Sequence, residues 1–285
     1  MKQLGLALGG GGLRGFAHIG VLQVLHDNNI PVNLISGTSA GSIIAALYAA
    51  GLSPRDMEKM VLGLKPEDYL DYNMAGFCKY LLSLLIPGYK TTLDGIIQGR
   101  KLEKCIHKLT GGKQLTEARL PLAIIACDIN TGREIIFTSQ NLELESPDYI
   151  VINEALMSTA VRASISIPAT FVPKSWRGMQ LVDGGIKDVV PVMAQKFMGA
   201  DFILAINLGK ELYEEKVAGI PRIISRTIDI MTFETSDTSQ DIFADMVVYP
   251  EVSPVSLGDL SKTSQIIRAG RRVMKEHIEE LKKQL

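Results

Sequence analysis

Cysteine, tryptophan and histidine are scarce in this 285-residue chain, which holds three, one and four of them. Cys78, Cys105 and Cys127 are an odd number at wide spacing, which matches neither a disulfide framework nor a zinc-ligand pattern. A reducing, cytoplasmic setting is expected. An excess of one charge is also lacking: thirty Lys and Arg against thirty-one Asp and Glu leave a formal charge of -1. No positive field is available to hold a nucleic acid. Long apolar runs are missing as well. The longest, residues 81–86, is interrupted by Ser83 and stopped by Pro87, far short of the roughly twenty residues that cross a bilayer. Met1-Lys2 ahead of Leu4, Leu6, Ala7 and Leu8 reads as the approach to a first strand, because a secretory leader needs a longer apolar stretch and a cleavage site. What remains is apolar and glycine-rich, with 46% hydrophobic residues and 26 glycines, the composition of a packed globular chain.

The pattern alternates between strand and helix signals. Residues 3–8 read as a buried strand, 16–26 as a helix, 32–36 as a second strand, and 43–50 as a helix that stops at Gly51. This rhythm predicts a three-layer α/β/α fold with a mostly parallel central sheet. Ser53-Pro54 opens a further helix. Gly76, Pro87, Gly88, Gly95 and Gly99 break residues 65–99 into apolar pieces. A helix at 100–109, strands at 121–127 and 134–138, and a helix at 149–157 follow. An irregular segment at 164–168, a strand end at Leu181-Val182-Asp183, a helix opened by Pro191 and a strand at 201–207 complete the core. The sheet is expected to end near Leu208. Beyond it lie a helix from about residue 222 into the 230s, a strand at 245–249 and a basic amphipathic helix over 262–284. The organisation expected is a catalytic domain at 4–208, with residues 209–285 as a helical extension packed on the same domain.

Three motifs carry chemistry. Gly37-Thr38-Ser39-Ala40-Gly41 lies between a strand and a helix, where glycines on both sides allow a turn tight enough to expose the serine hydroxyl at the carboxyl edge of the sheet. The Ala40 N–H then faces a developing oxyanion. A serine there can equally be a helix N-cap. Gly9-Gly10-Gly11-Gly12-Leu13-Arg14-Gly15 follows the first strand and offers successive amides to a phosphate or a transient oxyanion. Its glycines satisfy the dinucleotide fingerprint, yet the second strand ends Leu34-Ile35-Ser36-Gly37, with no acid for a ribose. Asp183-Gly184-Gly185 also ends a strand, and alone it could be a simple turn. The histidines give it meaning. Only His277 follows Asp183, inside the charged terminal helix, while His18, His26 and His107 fall on helices as surface or packing residues. A base for Ser39 is therefore sought in an aspartate, which points to a Ser-Asp pair.

Together these motifs resemble the patatin-like phospholipase family, in its short stand-alone bacterial form. The similarity extends through Asp128-Ile129-Asn130-Thr131-Gly132 and Ala163-Ser164-Ile165-Ser166-Ile167-Pro168, and so covers about residues 4–208. It implies a serine lipid acyl hydrolase of the phospholipase, lysophospholipase or carboxylesterase type, working through an acyl-serine without metal, nucleotide or other cofactor. Ser39 is then the nucleophile and Asp183 its base, with Gly10, Gly11, Gly12 and Ala40 as the oxyanion hole. Arg14, Gly15, Gly37, Gly41, Gly184 and Gly185 support the motifs. Plant members carry an aspartate where this chain has Gly9, a departure that touches no catalytic role. An aspartate of ordinary pKa, about 3.9, is a poor base at neutral pH, so the mechanism requires an apolar, partly dehydrated site.

The partner implied is a phospholipid or fatty-acyl ester. An acyltransferase or thioesterase could use the same site, and a lipid- or nucleotide-binding regulator could keep the fold without the chemistry. Arg14 is expected to brace the glycine loop rather than steer a head group. Residues 74–97 could form a lid or interfacial patch, though Leu-rich helical spacing is the mark of ordinary core. The final helix mixes Lys262, Arg268, Arg271, Arg272, Lys275, Lys282 and Lys283 with Glu276, Glu279 and Glu280, which reads as a solvated face. A cytoplasmic protein is expected, with peripheral contact at the inner face of the membrane compatible with it, and the oligomeric state is left open.

Overall fold

A computed structural model describes residues 2–86, 91–209, 216–219, 223, 224, 226, 227, 230, 242–252, 255 and 257–285. The first strand, β1 (Leu4–Leu8), is buried along its whole length and lies in the middle of the sheet. On one side it pairs with β2 (Leu34–Thr38), then β3 (Leu122–Asp128), β4 (Arg133–Thr138) and β5 (Tyr149–Ile152). A short hairpin, β6 (Lys174–Trp176) and β7 (Met179–Asp183), joins through β7 to β3. On its other side β1 pairs with β8 (Phe202–Ile206), and β8 with β9 (Met246–Val248). The β2-β1-β8-β9 region and the β2–β3 pair are parallel, whereas β4 and β7 run antiparallel to β3.

Side chains alternate across the strands. Leu4, Leu6, Leu8, Ile35, Ile124 and Leu204 enter the larger core, covered by α1 (Ala17–Asp27), α2 (Ala40–Ala50) and α7 (Met157–Ser164). Ala7, Leu34, Ile125, Ile203 and Ala205 face the other side, where α8 (Val192–Phe197) contributes Val192 and Ala194. The layers are the three expected. Along the chain, α3 (Pro54–Leu62), α4 (Pro66–Tyr69), α5 (Met74–Leu85) and α6 (Arg100–Leu109) come between α2 and β3. Ser53 caps α3 by accepting from the Asp56 N–H at 3.1 Å.

Three expectations are corrected. Residues 149–157 are not a helix: Tyr149-Ile150-Val151-Ile152 form β5, parallel to β4, and α7 starts only at Met157. Aromatic and β-branched residues in succession suit an extended strand, where their χ1 restriction costs little. The sheet does not end near Leu208, because Met246–Val248 pairs with Leu204, Ala205 and Ile206. The second strand runs further than residues 32–36, into the G-x-S-x-G motif itself. The helix expected from about residue 222 into the 230s lies largely outside the described residues, as does part of the apolar segment, at 87–90.

The terminal helix, Thr263–Gln284, buries Ile266, Ile267, Met274, Ile278 and Leu281 and packs on α1. Gly20 and Gly270 sit where the two backbones touch, since a Cβ on either would overlap the carbonyl of Ile267 or Ala17. Arg271 closes the contact by donating to Gln23 and pairing with Glu58 at 3.1 Å. Its apolar side is therefore committed to the core. No helix among the described residues is long and apolar enough to cross a membrane.

Candidate active site

Register places the two motif ends together. Thr38 of β2 pairs with Ile125, and the next β3 residue, Ala126, pairs with Asp183 of β7. Because β2 is parallel and β7 antiparallel to β3, their carboxyl ends meet head-on along one edge. Immediately past Thr38 the chain reverses at Ser39, held at φ 52° and ψ −122°, a conformation that costs on the order of 1–3 kcal/mol. The turn closes because Gly37 and Gly41 present no Cβ: one at Gly37 would overlap the Gly41 carbonyl, and one at Gly41 the Leu8 carbonyl.

The Ser39 hydroxyl does not cap α2. It donates to Asp183 Oδ2 at 2.6 Å, while Oδ1 accepts from the Gly185 N–H at 2.8 Å. Both side chains are nearly withdrawn from water, with Ser39 7% and Asp183 6% exposed. The last residue of α7 and the turn after it fasten both backbones: Ser164 Oγ accepts from the Ser39 N–H at 2.9 Å, and the Ser166 carbonyl accepts from the Asp183 N–H at 3.0 Å. Arg162, buried beneath, donates to Ser166 Oγ at 2.5 Å and to the carbonyls of Gln98 and Val172 at 2.6 Å. Burial lowers its pKa below the usual arginine value.

The glycine loop lies across from the elbow. Gly11 takes φ 157° and Gly12 φ 57°, opening a short helical turn, Gly12–Phe16. The N–H groups of Gly11, Gly12 and Ala40 have no acceptor among the described residues. Gly10 departs from its expected role. Its N–H already donates to Val189 O at 3.0 Å, so it is not a spare donor. Gly10 instead gives clearance, since a Cβ there would stand 3.3 Å from Ser39 Cβ. Arg14 is 4% exposed and braces the loop, donating to the Gly11, Leu208 and Gly209 carbonyls at 3.3, 3.3 and 3.2 Å. Gly15 packs on Ala40, and Gly184 lies against the Ile125 carbonyl.

A model of the patatin-like phospholipase family matches residues 6–194, a span holding the glycine loop, the elbow and the aspartate. The chain belongs to this family. It is similar to the lysophospholipase NTE1 of Coccidioides immitis, at 27% identity over 99% of this chain and 18% of the relative. It also resembles an NTE family protein of Mycobacterium bovis, at 27% identity over 82% of this chain and 57% of that one. The chain thus spans less than a fifth of the fungal relative's length and over half of the mycobacterial one. Among solved structures, VipD from Legionella pneumophila superposes with a TM-score of 0.55 at 13% identity, over 98% of this chain and 67% of that one. That likeness concerns the fold.

In this patatin-like chain an apolar cavity of about 110 Å³ opens at Ser39. Ile43, Met60, Leu102, Ile106, Ile167 and Phe171 are among its walls, and Gly12, Ala40 and Ser39 form its polar end. Among the described residues, no group of three His, Cys, Asp or Glu side chains is arranged to hold a metal ion.

None of the four histidines bonds to the pair. His26 lies beside Asp27, His107 by Ser158, and His277 on the Val273 carbonyl. His18 is fully buried, with Nε2 2.8 Å from the Gly9 carbonyl and Nδ1 without a partner among the described residues. A carbonyl only accepts, so the proton sits on Nε2. Burial pushes its pKa down to about 4. By sequence pattern His18 is only a surface or packing residue on a helix. It clamps one side of the Gly9–Gly10 peptide, and Val189 holds the other. Ser164 and Arg162 likewise carry no catalytic signature in sequence, although Ser164 lies in the Ala163-to-Pro168 segment. Asp128, at the head of the Asp128-to-Gly132 segment, ties β3 to β7 by accepting from the Gln180 N–H at 3.2 Å.

Proposed function

We propose that this protein is a serine acyl hydrolase of lipid carboxylic esters, with Ser39 as nucleophile and Asp183 as its general base. The observation that carries the reading is the 2.6 Å Ser39–Asp183 hydrogen bond at the mouth of an apolar cavity, formed without histidine. Asp183 takes the Ser39 proton as Oγ attacks the ester carbonyl. The amides of Gly11, Gly12 and Ala40 receive the oxyanion, with the amino end of α2 adding its dipole. Collapse of the tetrahedral intermediate leaves an acyl-serine and an alkoxide, to which Asp183 returns the proton. Water activated by Asp183 then releases the fatty acid. Burial of the pair keeps bulk water from the Ser39–Asp183 hydrogen bond. The cavity takes the acyl chain.

Membership of a phospholipase family supports a lipid substrate, and the name of the fungal relative supports a lysophospholipid. The test combines fatty-acid release from lysophosphatidylcholine with labelling by a fluorophosphonate. Both are expected in the wild type and absent in Ser39→Ala. Label retained by Ser39→Ala would overturn the assignment of the nucleophile.

A further inference from the structure

Within the apolar segment 74–97, the described side chains of α5 are turned outward, while Ile97 is buried. Helix α5 buries none of its described side chains. Asn73, Gly76, Lys79 and Ser83 form a narrow polar stripe at spacings of three and four, and three of these four are half-buried. Met74, Phe77, Tyr80 and Leu82 are exposed, at 64%, 47%, 37% and 47%. Tyr72, Ile86 and Ile96 extend the patch. Half of the large hydrophobic residues exposed in the described chain thus lie within residues 72–96. A helix in water does the reverse, burying the apolar stripe and wetting the polar one.

The helix is rooted at the rim of the Ser39 cavity. The Asn73 N–H donates to Ile96 O at 2.7 Å, its side-chain amide donates to Gly95 O at 3.1 Å, and Gln98 donates to its Oδ1. Ile97 in turn bridges to Phe171, a wall of the cavity. Tyr69 and Leu70, also in that wall, lead into Tyr72 and Met74. The root of α5 therefore adjoins the cavity wall at Tyr69, Leu70 and Phe171, joined to it through the hydrogen bonds of Asn73 and Gln98.

We propose that α5 is a membrane-docking element that lies in the surface of a lipid layer and delivers lipid from it to the cavity. This rests on the acyl-hydrolase reading above. Four successive positions, Phe77 to Tyr80, look round the entire helix and are all exposed. Immersion in lipid satisfies apolar groups on several sides at once, whereas a protein partner covers one. Twelve residues make about 18 Å of helix, too short to span the ~30 Å hydrocarbon core and long enough to lie along it. Tyr72 and Tyr80 supply rings with one apolar body and one polar tip, suited to the headgroup boundary.

Cys78, on this helix, is the one exposed thiol of the three, and so accepts a polarity-sensitive dye. The labelled Ser39→Ala chain, which cannot consume its substrate, is mixed with phosphatidylcholine vesicles. The dye emission shifts to the blue, and Phe77→Asp/Leu82→Asp weakens vesicle partition at least tenfold. In the catalytically intact chain the same pair of substitutions lowers fatty-acid release from vesicles by a similar factor. It leaves turnover of a water-soluble butyrate ester within twofold, which also reports folding. No blue shift, or equal partition by the double variant, overturns the docking assignment. So does a second copy of the chain as the occupant, seen as a dimer that the double variant dissociates in the absence of lipid. Loss of butyrate turnover in the wild type refutes the hydrolase reading instead, and leaves the dye experiment to decide docking.

Discussion

Replacing His18 by Gln tests whether a neutral, buried imidazole holds the glycine loop. Glutamine retains an N–H donor for the Gly9 carbonyl, which His18 Nε2 meets at 2.8 Å, but it does not titrate. Burial lowers the His18 pKa from 6.5 to about 4. The unfolded chain therefore binds a proton near pH 6.5 that the folded chain refuses until near pH 4, and stability is lost as pH falls through that window. At about 1.36 kcal/mol per pH unit, the full effect is about 3 kcal/mol, of which about 2 kcal/mol has gone by pH 5. Other groups titrate in the same range. Burial raises Glu134 from 4.5 to about 7, which has the opposite sense, favouring the folded state below pH 4.5 and losing that contribution as pH rises through 7. The difference between wild type and variant cancels such shared contributions. Urea unfolding at pH 7 and pH 5 is expected to show the wild type losing about 2 kcal/mol relative to His18→Gln. A difference that stays constant between the two pH values refutes the buried neutral imidazole.

The remaining predictions concern turnover. Asp183→Asn is expected to lower ester hydrolysis by roughly 10⁴-fold with the thermal unfolding midpoint little changed, as measured by fatty-acid release beside a melting curve. Ser164→Ala removes the acceptor of the Ser39 N–H, so a buried donor is left unpaired at a cost of about 1–3 kcal/mol. Its kcat falls about tenfold with KM nearly unchanged, and Ser164→Thr, which keeps an oxygen there, recovers most of it. Met60→Trp narrows the cavity. It is expected to reduce turnover of long-chain esters about tenfold and spare the butyrate ester, a split that disappears if acyl chains bind elsewhere.

Much of the site was legible because its demands are local. A chain can reverse as sharply as it does at Ser39 only if Gly37 and Gly41 lack side chains, and that demand is written in five consecutive residues. Arg14 was legible for a similar reason, since a cation three residues past Gly11 folds back onto its carbonyl. The failures share a different cause. Tyr149 to Ile152 became a strand because β4 offered an edge to pair with, and Met246 to Val248 joined a sheet whose previous strand lies about forty residues earlier. The Gly10 amide was spent on Val189, a partner far along the chain. The outward turn of the described α5 side chains is not written in its composition, because an apolar helix suits a buried position as well as an exposed one.

The amino-acid order by itself determined that a serine would stand on a strained turn at a strand end, and that an aspartate would stand at another. Only the tertiary structure decided that these two ends meet. Ser39 and Asp183 are 144 residues apart, and they are brought to 2.6 Å because β3 is long enough to seat β2 and β7 in succession on one edge. Backbone strain is a property of neighbours in sequence, whereas hydrogen-bonded register is a property of strands that find each other across the fold.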